Sequence, residues 1–156
     1  MSDKYKKEVT NIIKIDMENI NKYLDIIKAP WHIRNKVTAS IYVVKRFFGE
    51  DIEINHIFIS NWVNNDAYEY GDSLWIFTSN QIIEFLNFKV NNDCDALEFK
   101  VYTLQSAILV SRIESISYYE SSIEMKLPSG ELIKLRGIGS NQSYLIDIHK
   151  ELIKCS

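Results

Sequence analysis

The chain has 156 residues, 46% of them hydrophobic and 25% charged, with a formal net charge of −3; that length supports one domain with a real core but not two independent ones. The charge is unevenly spread, since residues 1–48 carry ten Lys/Arg against five Asp/Glu, residues 49–96 one Lys against nine acids, and residues 97–156 seven of each. A field so divided excludes the coherent basic face of a nucleic-acid binder, and no window reaches the ~18 uninterrupted apolar residues of a membrane span.

The start, "MSDKYKKEVTN", is basic but has no apolar stretch behind it, so no secretion signal is read there. From Tyr5 to Lys28, Val9, Ile13, Ile20, Leu24 and Ile27 recur at helical spacing, with Lys14, Glu18, Lys22 and Asp25 on another face. Ala29-Pro30 ends this helix, because the residue before proline is pushed out of the helical region. A second helix is predicted over Trp31–Phe48, with Ile33, Val37, Ile41, Val44 and Phe48 on one stripe and Gly49 as its stop. Its β-branched "SIYVV" admits a strand for part of the run, and helix is preferred. The short link makes the pair a helical hairpin. Trp31, Phe47, Phe48 and Trp62 then read as core aromatics beneath it.

"DIEINHIFISNW" (51–62) changes phase midway, from alternation at Ile52 and Ile54 to helix-like spacing at Ile57, Phe58 and Trp62, and matches neither period. Beyond "VNNDAYEYGDS" the pattern is β: "LWIFT" (74–78), a Ser79-Asn80 turn, "QIIEFLNF" (81–88), the loop "NNDCD" (91–95), and "LEFKVYTL" (97–104), whose Leu97, Phe99 and Val101 alternate with Glu98 and Lys100. "ILVSRIESISYYE" (108–120) is rich in β-formers but irregular in phase, which predicts a bulged or broken strand. In "EMKLPSGELIKLRG" (124–137), Pro128 fixes φ near −65° and Gly130 takes a positive φ, giving a three-residue hairpin with a glycine bulge. Its register sets Met125 opposite Ile133 and Ile123 opposite Leu135 on one face, and Glu124 opposite Lys134 on the other. That charged pair contributes about 0.2–1 kcal/mol. Asn141 is placed to cap a closing amphipathic helix through Ile153, with Leu145, Ile148 and Leu152 on its stripe and Lys150 and Lys154 in its last turn. Helices followed by strands indicate an α+β domain over residues 1–156, with 1–50 a helical extension and 51–156 an antiparallel β unit closed by a C-terminal helix.

From Leu74 onward, "LWIFTSNQIIEF", "YTLQSAI", "IEMKLPSGELIKL" and "NQSYLIDIHKEL" resemble the pleckstrin-homology-like (PH-like) superfold, in particular its GRAM and bacterial PH-like branches. Thr78, Leu104, Ile108 and the Leu145–Leu152 helix are the matching positions, over about half the chain, and the first 60 residues have no counterpart. The resemblance implies a bent, roughly orthogonal sheet pair or barrel plugged by the C-terminal helix. It also implies binding of inositol phospholipids, peptides or partner proteins. The lipid-binding branch carries a basic cluster in its first strand-to-strand loop; here that loop is Ser79-Asn80 and the segment before it is acidic, a departure from that branch.

No spacing of catalytic or metal-binding type is present. His32, His56 and His149 are scattered, and His149 reads as a flank of the closing helix stripe. "DCD" (93–95) reads as a solvated turn, and "NNDAYEYGD" (64–72) lacks the order of a calcium loop. Neither G-x-S-x-G nor a P-loop occurs, and "GIG" (137–139) lacks the third glycine of a dinucleotide fingerprint, although free helix amides after it can hold an anion. Cys94 and Cys155 read as free thiols of a reducing cytosol. Abundant Ile, with Lys exceeding Arg, suggests an AT-rich bacterial genome. The expectation is therefore a cytoplasmic, non-catalytic protein-interaction module with no cofactor or metal, its contact surface at Tyr68, Glu69, Tyr70 and Asp72. The first alternative is a peripheral module that meets anionic membrane, or a partner, through Lys4, Lys6, Lys7 and Lys14. The second is a ligand pocket or enzyme site between the helices and the sheet.

Overall fold

The computed structural model describes residues 17–64, 69–70, 73–86, 97–103, 108–115, 120–127 and 129–155, with the backbone alone at 63–64, 69–70, 108–115 and 151–155. Helix α1 (17–26) closes in a left-handed turn: Lys28 has φ 56°, its N–H donates to Asp25 O, and Ala29 N–H donates to Leu24 O. Arg34 bridges this turn from the next helix, donating through Nε to Ala29 O at 2.8 Å and meeting Asp25 Oδ1 at 2.7 Å. Helix α2 (Trp31–Phe48) runs over the expected span and stops at Gly49, whose φ of 111° suits only glycine.

Nine strands and a third helix follow among the described residues. They are β1 (Ile54–Ile59), β2 (Val63–Asn64), β3 (Glu69–Tyr70), β4 (Leu74–Thr78), β5 (Gln81–Phe85), β6 (Phe99–Thr103), β7 (Ile108–Ser115), β8 (Glu120–Lys126), β9 (Leu132–Ile138) and α3 (Gln142–Cys155). All pairing is antiparallel, in a four-stranded sheet β1-β4-β5-β6, a three-stranded sheet β7-β8-β9 and a two-stranded ribbon β2-β3. The β4–β5 turn is held by Thr78, whose Oγ1 accepts from Gln81 N–H at 3.0 Å and donates to Gln81 Oε1 at 2.8 Å. The β8–β9 hairpin has the expected register, Met125↔Ile133, Ile123↔Leu135 and Glu124↔Lys134, with Gly130 at φ 88°. The phase break expected in 108–120 lies between Leu109 and Ser111.

Strands β1, β4 and β5 of the four-stranded sheet are covered on both faces, while β6 is largely exposed. Against one face lies the helical hairpin: Ile20, Leu24 and Ile27 of α1, and Ile33, Val37, Ile41 and Val44 of α2, meet Ile57 and Ile59 of β1, Leu74 and Ile76 of β4, and Ile83 and Phe85 of β5. The helices therefore pack on the sheet instead of projecting from it. On the other face, Phe58, Trp75, Phe77 and Ile82 meet Ile123 and Met125 of β8, Ile133 and Leu135 of β9, and Leu145 and Ile148 of α3. Burial of both faces explains why "LWIFT" is an unbroken apolar run and not an alternating one.

Several expectations need correction. The segment 51–62 contains β1, and its change of phase is a bulge: Ile54 pairs with Thr78 and His56 with Phe77, so Asn55 is the extra residue and the facing parity flips there. Trp31 and Phe47 are not core aromatics, being 77% and 67% exposed, whereas Trp62 is buried with its indole N–H donating to Ile27 O at 2.8 Å. Strand β5 spans Gln81–Phe85 with Leu86 in a turn, residues 87–88 of the expected run lie outside the described residues, and Val101 is exposed because β6 is an outer strand of the sheet. The closed barrel is not found: among the described residues the two larger sheets share a core, and their main chains join at one corner, where Asn61 N–H donates to Arg136 O of β9. What the molecule has is an α+β architecture with an N-terminal helical hairpin, antiparallel sheets and a closing helix. No described helix is long and apolar enough to cross a membrane.

Candidate functional site

A groove of about 320 Å³ opens where α1, β1 and α3 converge. Its apolar floor is Ile20, Ile54 and Ile57, and the two tyrosines Tyr23 and Tyr144 stand edge to face with ring centroids 4.4 Å apart. The α1 wall adds Asn19 and Lys22, the β1 wall Asn55 and His56, and the α3 wall Asp147. The size falls within the range of small-ligand and peptide clefts, and its mixture of apolar floor and polar rim is typical of recognition sites.

Beneath the groove a closed set of hydrogen bonds joins the three elements. Tyr23 Oη donates to Asn141 Oδ1 at 2.6 Å, Ile59 N–H donates to Tyr23 Oη at 3.0 Å, and Asn141 Nδ2 donates to Ile59 O at 2.8 Å. Every group in that triangle is buried and matched, the condition under which a buried polar cluster fixes one arrangement. Burial pushes the Tyr23 phenol up, so it remains a neutral donor. The Tyr144 phenol is also raised, by burial first and by Asp147 second. Asn141, expected to cap α3 with its side chain, thus spends its carboxamide here. It belongs to the 3₁₀ turn Gly139–Asn141 that leads into the helix. Gly137 explains the first glycine of "GIG": a Cβ there would lie 3.1 Å from Asn141 O and Gln142 Cα. Gly139, at φ 58°, supplies the left-handed residue that starts the turn. Both glycines have structural reasons.

The triangle also reveals how the outer edge of β1 is used. Ser60 N–H donates to Ser73 O at 3.0 Å, which makes residues 60 and 73 a hydrogen-bonded pair. Along β1 such pairs alternate, so residues 58 and 56 face β4 while 61, 59 and 57 turn their main-chain groups outward. Asn61 then reaches β9, and Ile59 is met by the side chains of Tyr23 and Asn141. Ile57 turns its N–H and C=O toward the groove, and neither has a main-chain partner on that side among the described residues.

Of the residues expected to act, Lys4, Lys6, Lys7, Lys14, Tyr68 and Asp72 lie outside the described residues, as does "DCD". Glu69 and Tyr70 form β3, paired with Asn64 and Val63. The histidines are dispersed: His32 is exposed on α2, His56 lies at the groove with its ring edge-on to Phe77, and His149 is half-buried on α3 with Nδ1 enclosed and unmatched. Among the described residues no group of three His, Cys, Asp or Glu could hold a metal. Sequence reasoning missed Tyr23 and Tyr144. A signal for Tyr23 was available, since it falls between Ile20 and Ile27 on the buried stripe of α1 and brings a hydroxyl into it.

No family model matches the chain, and no curated protein does. Among solved structures it is similar to the C-terminal domain of an unknown protein from Leishmania infantum, at 11% identity and a TM-score of 0.47, over 75% of this chain and 98% of that one.

Proposed function

We propose that this chain is a non-catalytic, cytoplasmic protein-binding domain of PH-like fold, and that it takes its partner in the groove between α1, β1 and α3. The carrying observation is the groove itself, which joins an apolar floor to a rim with Lys22 on one wall and Asp147 on the other. Its lining sets the donors and acceptors of Asn19, Asn55, His56 and Tyr144 around that floor, the mixture of apolar and polar groups that suits recognition. The PH-like assignment is supported by the order of elements: a four-stranded meander interrupted by the β2–β3 ribbon, then a three-stranded meander and a closing helix whose Leu145 and Ile148 enter the core between them.

A random dodecapeptide library displayed on phage, selected against the full chain, provides the test. Enriched peptides are expected to lose affinity when Lys22→Glu or Asp147→Lys reverses a rim charge, and to bind unchanged after triple alanine substitution at Tyr68, Tyr70 and Asp72. The opposite pattern moves the contact to the acidic tyrosine segment. Salt-sensitive flotation with anionic liposomes, lost on neutralising Lys4, Lys6, Lys7 and Lys14, replaces the reading with a membrane module.

A further inference from the structure

We infer that the groove binds an extended peptide as an added strand on the outer edge of β1, with Ile57 donating and accepting the first pair of main-chain hydrogen bonds. This rests on the groove being the partner site, and adds what kind of partner and in which conformation. The outer edge of β1 is occupied in steps: Asn61 by the main chain of β9, Ile59 by the side chains of Tyr23 and Asn141, and Ile57 by nothing that the described main chain supplies. An N–H and a C=O projecting side by side from an edge strand are the fixed part of strand addition, since they pair with any extended backbone. Tyr23 and Asn141 already perform at Ile59 the pairing that a peptide would continue at Ile57.

The walls specify side chains. Ile57 faces the helical hairpin, whereas His56 faces the opposite way, toward Phe77 and the second core. A strand laid against β1 would therefore point alternate side chains at α1, with Ile20 and Lys22, and at α3, with Tyr144 and Asp147. The complementary peptide is amphipathic in a strand sense. It carries an apolar or acidic residue toward α1 and a basic residue toward α3, at neighbouring and not alternate positions. The bulge at Asn55 ends the usable edge and limits pairing to a short stretch.

The experiment takes an enriched dodecapeptide and N-methylates its backbone one residue at a time, measuring affinity for the full chain by titration. Strand addition predicts alternation: methylation of one residue lowers affinity about tenfold, the cost of a main-chain hydrogen bond lost in a desolvated edge, and methylation of the next leaves it unchanged. At saturation the Ile57 amide becomes protected from hydrogen exchange. Groove contacts in chemical-shift mapping with no alternation would overturn strand addition and leave the partner site standing. Shifts confined to other surfaces, or a library that yields no binder, would overturn both. Protection of Ile57 in peptide-free protein that grows with concentration would assign the edge to a second copy of the chain instead.

Discussion

The two faces of the four-stranded sheet are covered in different ways. The helical hairpin is joined to its face by apolar contact plus directed hydrogen bonds: Tyr23 to Ile59 and Asn141, and Trp62 to Ile27. The other face meets β8, β9 and α3 through side chains such as Phe77, Met125 and Leu135, and there the indole N–H of Trp75 is enclosed without a partner. Apolar burial supplies most of the free energy of either interface but has no direction. Hydrogen bonds among buried groups add less and fix where α1 sits. One interface is fixed by buried side-chain hydrogen bonds within it, the other by shape, with its hydrogen bonds at the corner where Asn61 N–H and Ser60 Oγ meet Arg136 of β9.

Substitutions can break that comparison. Phe77→Ala empties a fully buried site between the sheets and should cost about 3–5 kcal/mol in denaturant unfolding; a loss below about 1 kcal/mol would mean the second core is not close-packed. Tyr23→Phe keeps the ring but deprives Asn141 Oδ1 of its donor and Ile59 N–H of its acceptor, an expected loss of about 1–3 kcal/mol. Hydrogen exchange should show its effect concentrated in 17–26 and not spread over β8 and β9. Gly130→Ala tests the shape-held side at its turn. The position has open space around it but φ of 88°, so the cost is backbone strain alone, about 1–2 kcal/mol by the same unfolding measurement.

The smallest effects come from two carboxylates and have opposite signs. Burial, before any other cause, raises the pKa of Glu84, which accepts a hydrogen bond from Tyr102 Oη at 3.3 Å. The folded state thus holds that proton more tightly, and stability falls as pH rises through the unfolded and then the folded value. Glu120 is lowered, chiefly by its paired hydrogen bonds from Arg136, so its contribution is present above the unfolded value near 4.5 and is lost as pH falls through the folded one. Glu84→Gln should therefore raise stability at neutral pH and remove the downward slope. Glu120→Gln should lower it by less than about 1 kcal/mol, since the pair is half-exposed and screened by salt. Unfolding midpoints measured between pH 3 and 7 distinguish the two.

How much of this could be read from residue order varies with the cause. The β8–β9 hairpin was fully legible because turn residues and alternation fix the same register independently. Helix α2 was legible because one stripe and one glycine define it. β1 was not, because a single inserted residue, Asn55, reverses the facing parity midway and both faces are apolar. Exposure of Trp31 and Phe47 was hidden too, since composition places aromatics inside while topology decides which helix face is covered. The groove was the least legible feature. Its parts come from residues 19–23, 54–57 and 144–147, which no local spacing relates.

The doubly covered strand β4 has a consequence for how this polypeptide is made. "LWIFT" is sheltered on one side by residues 20–44 and on the other by residues 123–148. During synthesis the first shelter precedes it, but the second leaves the ribosome only after some fifty to seventy more residues have been added. For that interval an apolar, charge-free ribbon has one bare side, the kind of segment that self-associates. Until the second cover arrives, β4 stands open to the self-association to which folding intermediates with exposed apolar strands are prone.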